Sequence, residues 1–414
     1  MVNDMHLRFL GGSDRVGSLA MLLDVDGKHL LFDYGMTPSK PPEVPLPAPP
    51  VDHVFLTHAH LDHSGMVPVL TENGEIPIHC TNVTSTISHL LHKDSLKIAE
   101  TEGYAPPYSN AEIKKVKHFF DDVKSKDSFE ISPMYDVRFH DAGHIPGSLM
   151  VEISGSKKLL FTGDFNTIDT HLVKGTKPVD CDVLVMEGTY AGRDHPKVRK
   201  ELEKEFIDKI EEVVTRGGVA VLPAFAVSRS QEIAMILRKA GFDIWFDGMG
   251  RKVSKMFLKH PEFLRDAGEL KKAINNINMV HSDHGRKLAL QSEVILTSSG
   301  MMDGGPVLHY MNKLKNDPKS AVILTGYQVE GTNSRLLVDQ RKLDFYGVTE
   351  SVACEVQYYD FSGHAGHSDL VNFAKGCKPE KIIIMHSENR EVLAEDLKDF
   401  SEVILPHNDQ LISL

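Results

Sequence analysis

The sequence predicts an α/β protein with two domains, one of them inserted into the other. Its 414 residues are enough to form two substantial hydrophobic cores. In the first third, short apolar runs alternate with Gly-rich and Asp-Gly breaks, which is typical of strands joined by turns. From about residue 190, long amphipathic helical patterns alternate with short buried-strand patterns, which indicates a parallel α/β unit.

The first domain is predicted over residues 1–190. Within it, "VDGKH" predicts a hairpin turn, because Asp-Gly tolerates the positive φ that such turns need. The Pro-rich "PPEVPLPAPP" predicts a connector, since proline cannot donate to a sheet ladder. "SGMVPVLTENG" predicts a short helix, and longer helices are expected at about 82–100 and 110–118. Strands return in "LMVEISGSKKLLFTGD" and "CDVLVMEGTY".

The second domain is predicted as an insertion over residues 191–350, and the first domain resumes over 351–414. The insertion starts with the helical pattern "PKVRKELEKEFIDKIEEVVTRGG" and the buried-strand pattern "VAVLPAF". Strand patterns followed by Gly-rich loops come next in "FDIWFDG", "SEVILTSSG" and "SAVILTGY". "KIIIMHSE" and "EVILPHNDQLISL" predict the last strands of the resumed domain.

Composition excludes some classes of protein. Apolar and charged contents of 41% and 25% are ordinary for a globular protein. The net charge of −12 does not favour nucleic-acid binding, although an acidic body can carry a local basic groove. The four cysteines lack a C-x-x-C pair, which fits a reducing compartment. No signal-peptide pattern or apolar window of about 18 residues is present, so we expect a cytoplasmic protein without a membrane span.

Polar residues follow five of the predicted strands, at the point where each strand ends. They are Asp33, His58, Asp164, Glu187 and His386. His144 follows a further strand by several residues. Loops at the carboxyl ends of strands can converge on one crevice, so we expect these side chains to meet.

The segment "HAHLDH" at 58–63 brings together three imidazoles and a carboxylate. His58 and His60 are two residues apart and point the same way on an extended segment. Asp62 and His63 can reach a second ion as the chain turns into a helix. Imidazole and carboxylate suit zinc, with manganese or iron also open. Two ions about 3.5–4 Å apart can share a hydroxide, the nucleophile of a hydrolase. The alternative is a histidine-rich surface turn.

Taken together, the ordered motifs resemble the metallo-β-lactamase superfamily and its β-CASP ribonuclease branch. The matching motifs are "THAHLDHSG", "MEGTYAG", "PAFAVSRSQE", "SSGMMDGGP", "LTGYQVEGTNSR", "FSGHAGHSDL" and "MHSE". The resemblance covers essentially the whole chain and implies an αββα sandwich with an inserted β-CASP domain. Within the branch, the chain resembles archaeal nucleases similar to the cleavage and polyadenylation specificity factor. Because the first strand begins near Met5, we expect it to lack the KH modules that many of them carry.

The resemblance also implies roles for individual residues. It implies two zinc ions per chain, bridged by Asp164 and held as follows: His58, His60 and His144 at the first ion, and Asp62, His63 and His386 at the second. Asp33 is expected to steady the cluster from outside. His364 is expected to stabilise charge or protonate the leaving oxygen, with Glu187 orienting its ring. Asp62 is counted with His364 and Glu187 among the catalytic residues.

The function implied by the resemblance is a zinc-dependent ribonuclease that uses a hydroxide activated by two metal ions, acts on single-stranded RNA and forms a homodimer. An endonuclease of RNA 3′-end processing or decay is favoured; a 5′–3′ exonuclease and a non-catalytic scaffold subunit remain alternatives. RNA is expected to bind through a small basic patch. Five residues are candidate phosphate contacts, with tight turns or ordinary helix-surface charges as the alternative: Arg229, Ser298, Ser299, Thr332 and Arg335.

Overall fold

The computed structural model describes residues 5–195, 197–326 and 328–414. The chain forms two compact units. The first unit comprises Met1–Asp169, Lys174–Asp194 and His364–Leu414, and the second comprises Thr170–Val173 and His195–Gly363. The domain boundaries expected from the sequence, 190/191 and 350/351, stay predictions.

The strands are, in chain order, β1 (His6–Gly11), β2 (Ala20–Val25), β3 (Lys28–Phe32), β4 (His53–Phe55), β5 (Ile78–Cys80), β6 (Phe120–Asp122), β7 (Ser128–Ser132), β8 (Tyr135–Asp141), β9 (Leu149–Ser154), β10 (Lys158–Phe161), β11 (Val183–Glu187), β12 (Ala220–Pro223), β13 (Ile244–Asp247), β14 (Asn278–Met279), β15 (Val294–Thr297), β16 (Ala321–Leu324), β17 (Lys342–Phe345), β18 (Val348–Ser351), β19 (Glu355–Tyr358), β20 (Lys381–Met385), β21 (Glu402–Ile404) and β22 (Leu411–Ser413). The helices are α1 (Leu61–Ser64), α2 (Asn82–Glu102), α3 (Asn110–Val116), α4 (Arg199–Thr215), α5 (Arg229–Leu237), α6 (Gly250–Phe257), α7 (Ala267–Asn275), α8 (Asp283–Ala289), α9 (Pro306–Leu314), α10 (Asn333–Gln340), α11 (His367–Cys377) and α12 (Arg390–Leu397).

The first unit contains two seven-stranded sheets, with strand orders β22-β1-β2-β3-β4-β5-β6 and β21-β20-β11-β10-β9-β8-β7. Side chains from both sheets, among them Phe9, Phe32, Phe161 and Met385, pack into one hydrophobic cluster. The outer face of one sheet packs against α11 and α12, and that of the other packs against the segments around α1 and α3. The predicted αββα arrangement is therefore confirmed.

Two local predictions in the first unit can be compared with the structure. The β2–β3 hairpin turns through Asp26 and Gly27, both with positive φ, as the Asp-Gly signal predicted. The short helix predicted after the histidine cluster is a 3₁₀ helix, Val67–Asn73, with proline in its first turn. Proline fixes φ and lacks the N–H of an α-helical ladder, so it is tolerated at this position.

The second unit contains a six-stranded sheet of order β14-β13-β15-β12-β16-β19, and its strand pairs are parallel. This confirms the predicted parallel α/β unit. The carboxyl ends of β12, β13 and β15 lie at one edge, because Pro223 and Asp247 are both in register with Thr297. Although β19 follows residue 350, it extends this sheet by pairing with β16.

Among the described residues, the structure contains no helix with the length and apolar character needed to span a bilayer. The four cysteines are buried free thiols.

Candidate metal centre

The two sheets of the first unit deliver polar side chains to one place. Asp33 and His58 follow β3 and β4, which are parallel neighbours. Asp164, Glu187 and His386 follow or end β10, β11 and β20, which are parallel neighbours in the facing sheet. The carboxyl ends of parallel strands share an edge, so regular strand pairing is enough to bring these residues together. We call the set His58, His60, Asp62, His63, His144, Asp164 and His386 the histidine–aspartate centre.

One half of the centre contains His58, His60, His144 and Asp164, whose ligand atoms all lie within 4.8 Å of one another. His60 Nδ1 is 3.1 Å from His58 Nε2 and 3.3 Å from His144 Nε2. Asp164 Oδ2 is 3.7 Å and 3.8 Å from the same two nitrogens. Four ligands bound tetrahedrally at about 2.0–2.2 Å from zinc lie about 3.3–3.6 Å from each other. The spacing therefore fits one four-coordinate ion.

The other half contains His63, His386 and the second oxygen of Asp164. Asp164 Oδ1 is 3.3 Å from both His63 Nε2 and His386 Nδ1. Asp62 Oδ2 lies 3.7 Å from His386 Nε2, and Asp62 also groups with His58 and His63. Asp164 thus presents one carboxylate oxygen to each half, the arrangement expected of a bridging ligand.

Unused hydrogen-bonding capacity tests whether these residues fit metal ions. His63 Nε2, Asp164 Oδ1 and His386 Nδ1 are buried and lack a hydrogen-bond partner among the described residues. Buried polar atoms are normally satisfied, so three such atoms that converge indicate a missing cation. Burial and the neighbouring His63 also lower the pKa of His58 well below its usual value, which keeps its imidazole in the neutral form that binds metals. The residues fit the implied ions.

The His386 ring needs one adjustment to bind an ion. Its Nε2 accepts a hydrogen bond of 2.9 Å from the Gly17 N–H. A neutral imidazole has one acceptor nitrogen, so its proton then lies on Nδ1. His386 can bind an ion through Nδ1, the nitrogen that faces Asp164, only if that proton is lost or the ring rotates.

Asp33 holds His63 from outside the centre. Its buried carboxylate accepts hydrogen bonds from Thr57 N–H (2.8 Å) and Thr57 Oγ1 (2.9 Å) and lies 2.7 Å from His63 Nδ1. A proton on Nδ1 that is donated to Asp33 directs Nε2 toward Asp164. Although burial lowers the pKa of His63, Asp164 and Asp33 outweigh that effect and hold it well above its usual value. A positive charge is thus stabilised between the two carboxylates.

Gly35 allows the ligand-bearing loop to pass close to the end of β3. A Cβ at this position would lie 1.7 Å from the carbonyl oxygen of Asp62. The neighbouring backbone of Tyr34 donates to the His63 carbonyl (2.7 Å). Glycine is required here because any side chain would push Asp62 and His63 away from the centre.

His364 and Glu187 form a pair beside the centre. His364 Nδ1 lies 3.0 Å from Glu187 Oε1, and its Nε2 lies 3.9 Å from Asp164 Oδ2. The buried Glu187 carboxylate is fixed by the N–H groups of Phe165 (2.9 Å) and Thr189 (3.2 Å). Burial lowers the pKa of His364, but Glu187 and Asp164 outweigh it and raise that pKa to about 9. Nε2 of His364 therefore presents a proton toward the centre.

The five candidate RNA contacts lie in the second unit, and each has a local structural contact. Thr332 caps α10 by accepting from Arg335 N–H, and Arg335 pairs with Asp339 at 2.8 Å. Arg229 donates to the Thr325 carbonyl (2.9 Å). Ser298 Oγ accepts from Met249 N–H, and the Ser299 carbonyl accepts from Met302 N–H. Their role toward RNA stays a prediction.

Some features of the structure had no signal in the sequence. The Tyr190 ring stacks on His364 with ring centroids 6.0 Å apart and an angle of 17°. In the second unit, His171, Glu203 and Glu232 form another group of ligand-type atoms within 4.8 Å of one another. Neither Glu203 nor Glu232 stands at a strand end, so the pattern that predicted the histidine–aspartate centre does not apply to this group.

Comparison with known families agrees with this geometry. The facing sheets, the histidine–aspartate centre and the parallel insertion define a metallo-hydrolase of the β-lactamase type. Family models match the Metallo-beta-lactamase superfamily over residues 13–217, the Beta-Casp domain over 230–337, and the Zn-dependent metallo-hydrolase RNA specificity domain over 349–406. The chain belongs to the metallo-β-lactamase superfamily, in its β-CASP branch.

Curated relatives are similar over nearly the whole chain. A "Probable RNase MJ4" of Methanocaldococcus jannaschii is 37% identical, over 96% of this chain and 96% of its own. "RNase aCSPSF2" of Saccharolobus solfataricus is 36% identical, over 99% of this chain and 85% of its own. "Transcription termination factor FttA" of Pyrococcus horikoshii is 34% identical, over 93% of this chain and 66% of its own.

A solved structure shows the same fold. It is titled "Crystal Structure of a Protein of Unknown Function from Enterococcus faecalis V583" and is 15% identical, with a TM-score of 0.63 over 99% of this chain and 100% of its own.

Proposed function

We propose that the protein is a zinc-dependent ribonuclease that hydrolyses phosphodiester bonds of single-stranded RNA at the histidine–aspartate centre. The observation that carries the proposal is the convergence of three buried ligand atoms without a hydrogen-bond partner, from His63, Asp164 and His386, beside a second group with tetrahedral spacing. The names of the relatives, two of them RNases, support RNA as the substrate.

The side chains of the centre have separate tasks in this proposal. His58, His60 and His144 would hold one ion, Asp62, His63 and His386 would hold the other, and Asp164 would contribute one carboxylate oxygen to each. When bound, the ions supply Lewis acidity and lower the pKa of a water molecule toward about 7. Asp33 would accept the Nδ1–H of His63 and so direct Nε2 toward Asp164, where a bound ion would take the place of the Nε2 proton.

His364 supplies a proton in this proposal. Its Nδ1–H donates to Glu187, which is itself held by two backbone N–H groups. The ring cannot rotate without losing that bond, so Nε2–H stays directed toward the centre. From there it can stabilise the charge on a phosphate oxygen or protonate the leaving oxygen. Glu187 acts by orienting the imidazole.

We propose endonucleolytic cleavage in RNA 3′-end processing or decay, by a homodimer. Single-stranded RNA labelled at the 5′ end and, separately, at the 3′ end is incubated with the protein, with and without a zinc chelator. Internal products from both labels that disappear with chelator, and return with added zinc, support the proposal. Release of 5′ mononucleotides alone identifies a 5′–3′ exonuclease, and chelator-resistant cleavage contradicts the metal mechanism. Light scattering tests the dimer.

A further inference from the structure

Positive charge is concentrated in one part of the second unit. Residues 248–290 contain nine Lys or Arg and four Asp or Glu, a net charge of +5. The whole chain has a net charge of −12, so the remainder carries −17. Nucleic acid is therefore repelled by most of the chain and attracted to this segment.

Three lysines form a stripe on one helix of this segment. Lys252, Lys255 and Lys259 are spaced i, i+3 and i+7 along α6 and the turn after it, and all three are exposed. The opposite face of α6 is buried through Val253 and Phe257. Residues three or four apart on a helix lie about 5–6 Å from each other between Cβ atoms. We call these three lysines the α6 stripe.

The charges of the α6 stripe are not compensated locally. In the parts of the chain that the structure describes, no acidic side chain forms an ion pair with any of the three. Like charges at these spacings repel and destabilise a helix. A phosphate backbone bound along the stripe would relieve that repulsion.

Helix α4 of the same unit pairs two of its four basic residues with acidic side chains. There Arg199 pairs with Glu203 (3.1 Å) and Glu232 (2.6 Å), and Lys209 pairs with Glu355 (3.2 Å) as well as with a neighbouring carboxylate on its own helix. Helix α4 also contains six acidic residues beside its four basic ones, whereas α6 contains no acidic residue. The α6 stripe therefore lacks the carboxylates that α4 has on its own helix.

The chemistry of the α6 stripe favours a phosphate backbone over individual bases. Lysine is a compact point charge on a flexible stem, whereas arginine presents a fork suited to reading base edges. Contacts of lysine with phosphate carry no sequence information. Resting on the proposed ribonuclease function, we propose that the α6 stripe binds successive phosphates of single-stranded RNA outside the histidine–aspartate centre.

The test compares two triple variants with equal loss of charge. The first is Lys252→Gln, Lys255→Gln and Lys259→Gln. The control is Lys197→Gln, Lys200→Gln and Lys204→Gln, on and beside α4, where acidic residues outnumber basic ones. Thermal melting and metal content should match the unaltered protein in both. The dissociation constant of a labelled oligouridylate of about 30 nucleotides is then measured at several salt concentrations.

Each lost phosphate contact lowers the slope of log affinity against log salt by about 0.7 on single strands, so three contacts remove about 2. We expect that change in the α6 variant, with affinity reduced about 10–100-fold near 0.1 M salt, and a change of less than 0.5 in the control. Equal slopes in all three proteins, or equal losses in both variants, overturn the proposal. Cleavage rates at saturating RNA should be unchanged.

Binding and cleavage are read separately, so the two proposals can fail separately. If the unaltered protein binds the oligouridylate but does not cleave it, the ribonuclease assignment fails while the salt slope still decides the stripe. If all three proteins cleave RNA and bind it equally, only the stripe is wrong.

Discussion

The two units each contain a cluster of histidine and carboxylate atoms within 4.8 Å of one another, and the clusters use those atoms differently. In the second unit, Arg199 donates to both Glu203 and Glu232. Glu232 also accepts the backbone N–H groups of His171 (3.0 Å) and Leu172 (2.9 Å). A cation and two amides therefore already satisfy this cluster.

In the first unit, the ion pairs of Asp164 with described residues are all made to histidines, and three converging atoms have no hydrogen-bond partner. Residue types alone do not distinguish the two clusters, since both combine imidazole and carboxylate. The distinction lies in buried ligand atoms that lack a hydrogen-bond partner. A group of potential ligands is a candidate metal site when such atoms converge.

The largest effect is expected for Asp164→Ala. One carboxylate serves both halves of the centre, so this change should abolish RNA cleavage, by more than about 10⁴-fold, the upper worth of a single positioned acid or base. Single-turnover cleavage of an end-labelled RNA measures the loss. Retention of more than about 1% of the activity would place the bridging role elsewhere.

The second prediction separates proton transfer from metal binding. His364→Ala should keep its metal content, because His364 is assigned no ligand role, and cleave RNA about 10²–10⁴-fold more slowly. Elemental analysis and single-turnover rates are measured on the same preparation. Loss of metal from this variant would make His364 a ligand and extend the centre to Glu187.

A third group of imidazoles differs from both clusters, because its ring nitrogens form hydrogen bonds with each other and with a carboxylate. His53 Nδ1 lies 2.9 Å from His79 Nε2, and His79 Nδ1 lies 2.8 Å from Asp121. Burial and the neighbouring His53 lower the pKa of His79 to about 4, and burial also lowers that of His53. These rings are held neutral, so this group should respond to protons.

A depressed pKa makes folding stability depend on pH. The folded state resists protonation of His79, so the contribution of His79 to the free energy of unfolding is complete above about pH 6.5. It is lost progressively as the pH falls toward 4, by up to about 3 kcal/mol. Urea unfolding with chelator present, followed by far-UV circular dichroism, should show a shallower acid loss in His79→Gln. Parallel pH profiles of stability for the unaltered protein and the variant would show that His79 does not cause the acid loss.

The smallest effect is expected at the cluster of the second unit, formed by His171, Glu203 and Glu232. Glu203→Gln should leave metal content unchanged and RNA cleavage within about twofold, because Arg199 keeps its contact with Glu232 and partly exposed ion pairs contribute about 0–1 kcal/mol. Loss of a metal ion from this variant would show that a satisfied cluster can still bind one, which contradicts the distinction drawn above.

Much of this architecture could be predicted from the sequence, because it depends on regular strand pairing. Once β3 and β4 run parallel in one sheet and β10, β11 and β20 in the other, the residues that follow them must meet. The roles of those residues stay predictions, although the structure brings them within ligand distance of one another. Helix α2, expected over about 82–100, runs from Asn82 to Glu102 because Gly103 in a left-handed conformation ends it.

Features that depend on loop geometry could not be predicted. The Gly17 N–H reaches His386 across 369 positions of sequence, and no spacing or periodicity encodes that contact. The second-unit cluster has the same origin, since Thr170–Val173 joins a unit whose other residues begin at His195. The sequence analysis did not predict the α6 stripe, because only the structure shows that its lysines share one exposed helix face and lack ion pairs.

Metal content is the most direct test of the central claim, that buried ligand atoms without hydrogen-bond partners distinguish the two clusters. Inductively coupled plasma mass spectrometry is applied to the unaltered protein, Asp164→Ala and Glu203→Gln, each purified without chelator and dialysed against the same zinc-containing buffer. We predict about two zinc ions per chain in the unaltered protein and in Glu203→Gln, and fewer than one in Asp164→Ala. Full zinc content in Asp164→Ala, or a loss confined to Glu203→Gln, would contradict the account.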